Sequence, residues 1–152
     1  MELRAGAETQ LRLKILGYEY PQCQMEPYDS NWLRIRVHAT QAGRSWVATH
    51  PSLLTYEAHA LAIWLDAVAL APDRQAAIEF TEPNLRFDWE ARAGVHELRV
   101  WIDLELRPKW APAVAAGEDD FFLTFAPTAD SLAGCATALR EQLASFPQRA
   151  AL

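Results

Sequence analysis

Glu97-Leu98-Arg99-Val100-Trp101-Ile102-Asp103-Leu104-Glu105-Leu106-Arg107 places an aliphatic residue at every second position. Leu98, Val100, Ile102, Leu104 and Leu106 fall on one side, and Glu97, Arg99, Trp101, Asp103, Glu105 and Arg107 on the other. That two-residue period is the mark of a strand with one buried face, and Pro108 is expected to end it. A strand wet on one side belongs to an antiparallel sheet, because parallel strands are covered on both faces and read as unbroken apolar runs.

The flanks repeat the pattern. Before the run, Ala77 to Thr81 and Leu85 to Glu90 read as strands joined by the Glu82-Pro83-Asn84 turn, and Ala93-Gly94 turns the chain into the run itself. After it, Ala111 to Asp120 reads as a loop and Phe121 to Phe125 as a last strand. Further upstream, Leu11, Leu13 and Ile15 alternate with Arg12, Lys14 and Leu16, with Gly17 marking a bend or bulge. Leu33, Ile35 and Val37 alternate with Arg34, Arg36 and His38, and Gln41 to Arg44 connects that strand as a hairpin to another at Ser45 to Thr49. His50-Pro51 is expected to stop the latter. Two segments carry a helical period instead: Tyr56, Leu61, Trp64, Leu65 and Val68, with Thr55 or Ser52 as cap, and Leu132, Cys135, Ala136, Leu139 and Leu143 within Asp130 to Phe146.

Three strands, a helix, four strands and a terminal helix with short connections give an α+β fold. The expectation is a mainly antiparallel, twisted sheet of about seven strands, with the central and C-terminal helices packed on one face and a polar, aromatic face left outside. At 152 residues the chain reads as a single domain, with residues 1–10 a lead-in free to fray.

Composition narrows the function. Half the residues are hydrophobic (51%) and 22% are charged, which excludes a disordered chain, and charges interrupt every apolar run before it reaches membrane-spanning length. A net charge of −6 opposes a nonspecific grip on nucleic acid, with only two lysines and no basic run beyond two residues. Arg34, Arg36 and His38 beside Trp32 and Trp46 imitate a base-stacking sheet, yet the commoner fate of such arginines is pairing with acidic cross-strand neighbours. Cys23 and Cys135 read as reduced thiols, and the N-terminal residues resemble no secretory leader, so a cytoplasmic address is expected.

No phosphate-binding glycine motif, nucleophile elbow or metal-ligand spacing occurs among the glycines, serines, histidines and cysteines. The expectation is no catalytic, cofactor-binding or metal-binding residue and no cofactor. The best enzymatic alternative rests on carboxylates: Asp103 and Glu105 on one strand face with Glu79 and Glu82 near by, Glu105 acting with Asp103 or Glu82, and Trp101 to stack on a sugar. A third reading is a structural module that self-pairs over an exposed sheet edge. Six tryptophans are many for this length, and aromatics standing among charges resemble interface anchors.

Several ordered motifs add a specific resemblance. They are Leu16-Gly17-Tyr18-Glu19-Tyr20-Pro21, Tyr28-Asp29-Ser30-Asn31-Trp32-Leu33, Ser52 to Leu65 ending in Ile63-Trp64-Leu65, Phe80-Thr81-Glu82-Pro83-Asn84-Leu85, and Leu104-Glu105-Leu106-Arg107-Pro108. Leu139 to Arg149, ending Phe146-Pro147-Gln148-Arg149, completes the set. Together, from about residue 11 to 149, they resemble WapI-family immunity proteins of bacterial competition systems. The resemblance implies a small cytoplasmic protein that binds the toxic C-terminal domain of a large polymorphic toxin and blocks it, without catalysis or cofactor. It carries no contact residues over position by position, and Asp29-Ser30-Asn31 and Glu82-Pro83-Asn84 are equally natural turn chemistry. The expected partner is a basic cognate toxin domain, with no nucleic acid or membrane, and the chain a monomer or weak homo-oligomer. The expected contact surface is the polar sheet face with Trp32, Glu79, Glu82, Trp101, Asp103 and Glu105.

Overall fold

The structure is a computed structural model that describes residues 1–92, 94–111 and 121–150. The chain forms β1 (Glu2–Ala5), β2 (Thr9–Tyr18), β3 (Trp32–Gln41) and β4 (Arg44–Leu54), then α1 (Thr55–Leu70). It continues through β5 (Ala76–Glu79), β6 (Leu85–Arg92), β7 (Val95–Ile102) and β8 (Phe122–Phe125), and ends in α2 (Ala129–Leu143). The strands make two four-stranded antiparallel sheets, ordered β1-β2-β3-β4 and β5-β6-β7-β8. The α+β class with two helices stands, while the single sheet of about seven strands becomes two sheets of four. α1 sits between them in sequence: β4 runs straight into it, and β5 on its far side pairs with β6 rather than returning to the first sheet.

The eighth strand is β1. Its register Glu2↔Arg12 through Ala5↔Thr9 ties residues read as a fraying lead-in to β2, and Leu3 is buried in the core. Four residues with one apolar side chain facing inward are too short for a visible period, which is why the sequence hid them.

Both sheets bury one face and share one apolar core with both helices. Leu11, Leu13, Ile15, Leu33, Ile35 and Val37 fill it from the first sheet, and Phe87, Trp89, Leu98, Val100 and Ile102 from the second. α2 lies over the first sheet, where Gln142 Oε1 accepts the Ile15 N–H at 2.8 Å and the Cys135 thiol donates to the Glu2 carbonyl at 3.1 Å. Burial pushes the Cys135 thiol above its ordinary range, the state of an inert core cysteine. The glutamine caps the edge of β2 beyond the end of β1, where a bare N–H would otherwise be stranded. α1 packs on α2, with Arg140 bridging to Asp66, and reaches the second sheet through Trp64 against Phe87.

Three local expectations change. β4 runs on through Pro51, because β4 is an edge strand and a register shift between Leu33 and Arg34 accommodates the proline. Neither Thr55 nor Ser52 caps α1: Leu54 is the cap residue, its N–H is taken by the Glu57 carboxylate at 2.9 Å, and the Thr55 hydroxyl donates to Asn31 Oδ1. β7 ends at Ile102, and Leu104–Leu106 form a turn of 3-10 helix. Asp103 causes the break, its carboxylate accepting the Leu104 N–H at 2.8 Å while Leu104 adopts a left-handed φ of 48°. Residues 112–120 of the loop expected from Ala111 to Asp120, and the turn residue Ala93, lie outside the described residues.

Candidate functional site

The outer face of the second sheet is built by register. Glu79, Arg86, Trp101 and Phe122 lie side by side across four strands, and Asp88, Arg99 and Thr124 form the next row. Arg86 bonds Asp88 at 3.1 Å and stacks over the Trp101 ring at 4.2 Å, while the Trp101 indole N–H donates to the same Asp88 carboxylate. Phe122 meets the Trp101 ring at 4.6 Å, and Arg99 is held by Glu90 and Glu97. Trp101 is therefore a fixed aromatic post whose rotamer is locked by a cation, a carboxylate and a second ring.

Beside the post opens a cavity of about 240 Å3, lined by Glu79, Phe80, Pro83, Arg86, Trp101, Asp103 and Phe121 among others. Glu79 is exposed. Asp103 is partly buried, caps the turn and reaches Arg107 at 3.5 Å. Asp88 balances Arg86 and Arg107 answers Asp103, so Glu79 is what leaves the rim with a negative bias.

Of the six expected contact residues, the cavity gathers Glu79, Trp101 and Asp103. Glu82 stands in the turn next to the lining residue Pro83. Glu105 does not share a strand face with Asp103, because the 3-10 turn redirects it. Its carboxylate accepts from Asn84 Nδ2 at 2.8 Å and lies 3.8 Å from His50, and it lines a different cavity with Trp46, Pro108 and Trp110. The Asn84 hydrogen bond, helped by a backbone N–H, holds the Glu105 carboxyl below its usual range. Trp32 belongs to the first sheet, opposite Leu54. The paired strand carboxylates of a glycoside-type site are thus not assembled from Asp103 and Glu105.

Arg86, Asp88 and Phe122 support the post and were not legible as site residues, since cross-strand register decides which residues meet. A second aromatic group, Trp46, Trp110 and Phe121 packed edge to face, joins the two sheets, with the Trp46 indole N–H donating to the Leu106 carbonyl at 3.1 Å. Among the described residues no group of three or more His, Cys, Asp or Glu is placed to hold a metal ion. No helix among them is long and apolar enough to cross a membrane.

The model of the immunity protein WapI-like family matches residues 2–147. The chain belongs to the WapI-like immunity protein family. Membership assigns it a role in toxin immunity, implies a toxin protein as partner and points away from catalysis. No curated protein and no solved structure matches the chain.

The motifs of the WapI-like resemblance turn out to be held against one another. Asn31 is fully buried: Nδ2 donates to the Pro27 and Ala150 carbonyls, and Oδ1 accepts from the Thr55 hydroxyl and the Arg149 N–H. The Arg149 guanidinium sits 3.5 Å over the Tyr18 ring and donates to the Pro21 and Cys23 carbonyls. Thr81 hangs on the Glu57 carboxylate through N–H and hydroxyl, and Asn84 holds Glu105. These contacts tie loops and termini together, and at Asn31 they satisfy a fully buried amide. They maintain the scaffold, while Phe80, Pro83 and Leu85 of the same set of motifs line the cavity.

Proposed function

We propose that this chain is the immunity partner of a polymorphic-toxin domain, acting in the cytoplasm of the producing cell by covering that domain without chemistry. The outer face of the second sheet is the contact surface. The observation that carries this choice is the cavity that brings Glu79 and Asp103 beside the locked Trp101 ring. A rigid aromatic anchor beside a pocket that a partner's side chain can fill is a usual form of interface hot spot. The negative rim suits a basic side chain, arginine or lysine, inserted from the toxin, and the overall charge of −6 steers a basic domain toward the chain. Leu104, exposed and left-handed at the edge of this site, fits the tendency of backbone strain to persist where a surface is used. Glu82 flanks the entrance, whereas Trp32 and Glu105 are not part of this patch.

The chain needs no nucleic acid, membrane or cofactor in this reading, and it waits for the toxin as a monomer or weak homo-oligomer. The test is rescue: the toxin-domain gene adjacent to this one is expressed with and without the chain, and growth is measured. Growth restored by the wild type and not by Glu79→Lys with Trp101→Ala supports the reading. An adjacent domain that remains lethal beside the folded wild type overturns it.

A further inference from the structure

The charge of the molecule is divided. Up to Leu54, six Arg and Lys stand against five Asp and Glu, whereas eight stand against fifteen in the rest of the chain. The outer face of the first sheet concentrates the positive part. Arg12, Lys14, Arg34, Arg36 and His38 are all exposed and alternate with the buried residues of β2 and β3. Register sets Lys14 directly opposite Arg36 and Arg12 directly opposite His38. On the far side Arg36 meets Thr49 and His38 meets Val47, so no carboxylate enters the row from β4. Arg12 is partnered by Glu2 at 2.9 Å, and Arg34 has Glu19 only at 3.9 Å. Among the described residues Lys14 and Arg36 make no ion pair. Like charges facing each other across strands cost stability, in contrast to the second sheet, where Arg86 and Arg99 are answered by Asp88, Glu90 and Glu97.

We propose that this face is a second docking surface, and that its occupant is an acidic protein surface. The complementarity is in charge. Cross-strand neighbours lie about 5 Å apart and alternate residues of a strand about 7 Å, so the four cationic side chains of Arg12, Lys14, Arg34 and Arg36, with the His38 imidazole among them, share one face at close spacing. Val47, 60% exposed in the middle of the outer row, offers an apolar contact at its border. Nucleic acid fits less well, because single strands are held by successive stacking aromatics and this field has only Trp32 at its margin. The overall negative charge also opposes a long phosphate polymer. The proposal is independent of the Trp101 surface, which lies on the other sheet.

The experiment measures binding of the whole chain to three labelled probes at low salt: a polyglutamate peptide, a single-stranded oligonucleotide and phosphatidylserine vesicles. The expected result is polyglutamate binding that Lys14→Glu with Arg36→Glu weakens about tenfold, and that added salt abolishes. Arg92→Glu with Lys109→Glu changes the net charge equally elsewhere and is expected to leave that binding nearly unchanged. Melting curves check folding, and Lys14→Gln with Arg36→Gln serves as the milder pair if the reversal unfolds the chain. Polyglutamate affinity that is absent, or equal in wild type and both Lys14/Arg36 pairs, overturns the proposal. So does tighter binding of the oligonucleotide or vesicles that depends on Lys14 and Arg36.

Discussion

Ala42 and Gly43 turn β3 into β4 with φ of 48° and 78°, both left-handed, as a two-residue hairpin turn requires. Glycine meets this freely, whereas alanine places a Cβ where L-residues are strained. Ala42→Asn is expected to stabilise the protein by about 1 kcal/mol, read as a rise of a few degrees in the thermal midpoint. At Glu105 the hydrogen bond from Asn84 depresses the folded-state carboxyl below the ordinary value of 4.5, so its contribution is present at neutral pH and is lost as pH falls through the lowered value. The stability difference between wild type and Glu105→Gln should therefore be full at pH 7 and vanish in acid. Denaturant midpoints across that range check it, and a difference that grows on acidification would refute the assignment.

At the scale of elements, buried polar residues set where strands and helices stop. Asn31 satisfies four partners at a buried junction of loop, helix start and C-terminal tail. Asn31→Ala is expected to cost about 3 kcal/mol, since each stranded buried partner costs about 1–3 kcal/mol. Gln142→Ala, which strips the cap from the Ile15 N–H, should cost about 1–2 kcal/mol. Urea unfolding measures both. The elements themselves were legible in the alternation of β2, β3, β6 and β7 and in the helical stripe of α2, because half-buried strands and amphipathic helices write their period into the sequence. What escaped was tertiary. The aliphatic rhythm at Leu104 and Leu106 continued past Ile102, but Asp103 bonding its neighbour's N–H ended the strand. Pro51 was expected to end β4, yet an edge position with a bulge absorbs it. Of the candidate site, Trp101, Glu79 and Asp103 were legible as exposed-face residues, while Arg86, Asp88 and Phe122 depended on a register that no local pattern states.

At the scale of the molecule, buried motif residues such as Asn31 help form the frame, Phe80, Pro83 and Leu85 of another motif line the cavity, and the two outer sheet faces differ in charge. One is a paired, aromatic and acidic-rimmed face around Trp101, and the other a field of cations answered by few carboxylates. A chain polarised in this way should meet a basic partner acidic side first, so its association rate with such a partner is expected to fall steeply with added salt. The most direct measurement is calorimetric titration of the proposed cognate toxin domain into this chain and into Trp101→Ala. The expected result is tight one-to-one binding by the wild type and a loss of at least about 2 kcal/mol, roughly thirtyfold, in the variant. Equal affinity for the two folded proteins would contradict it.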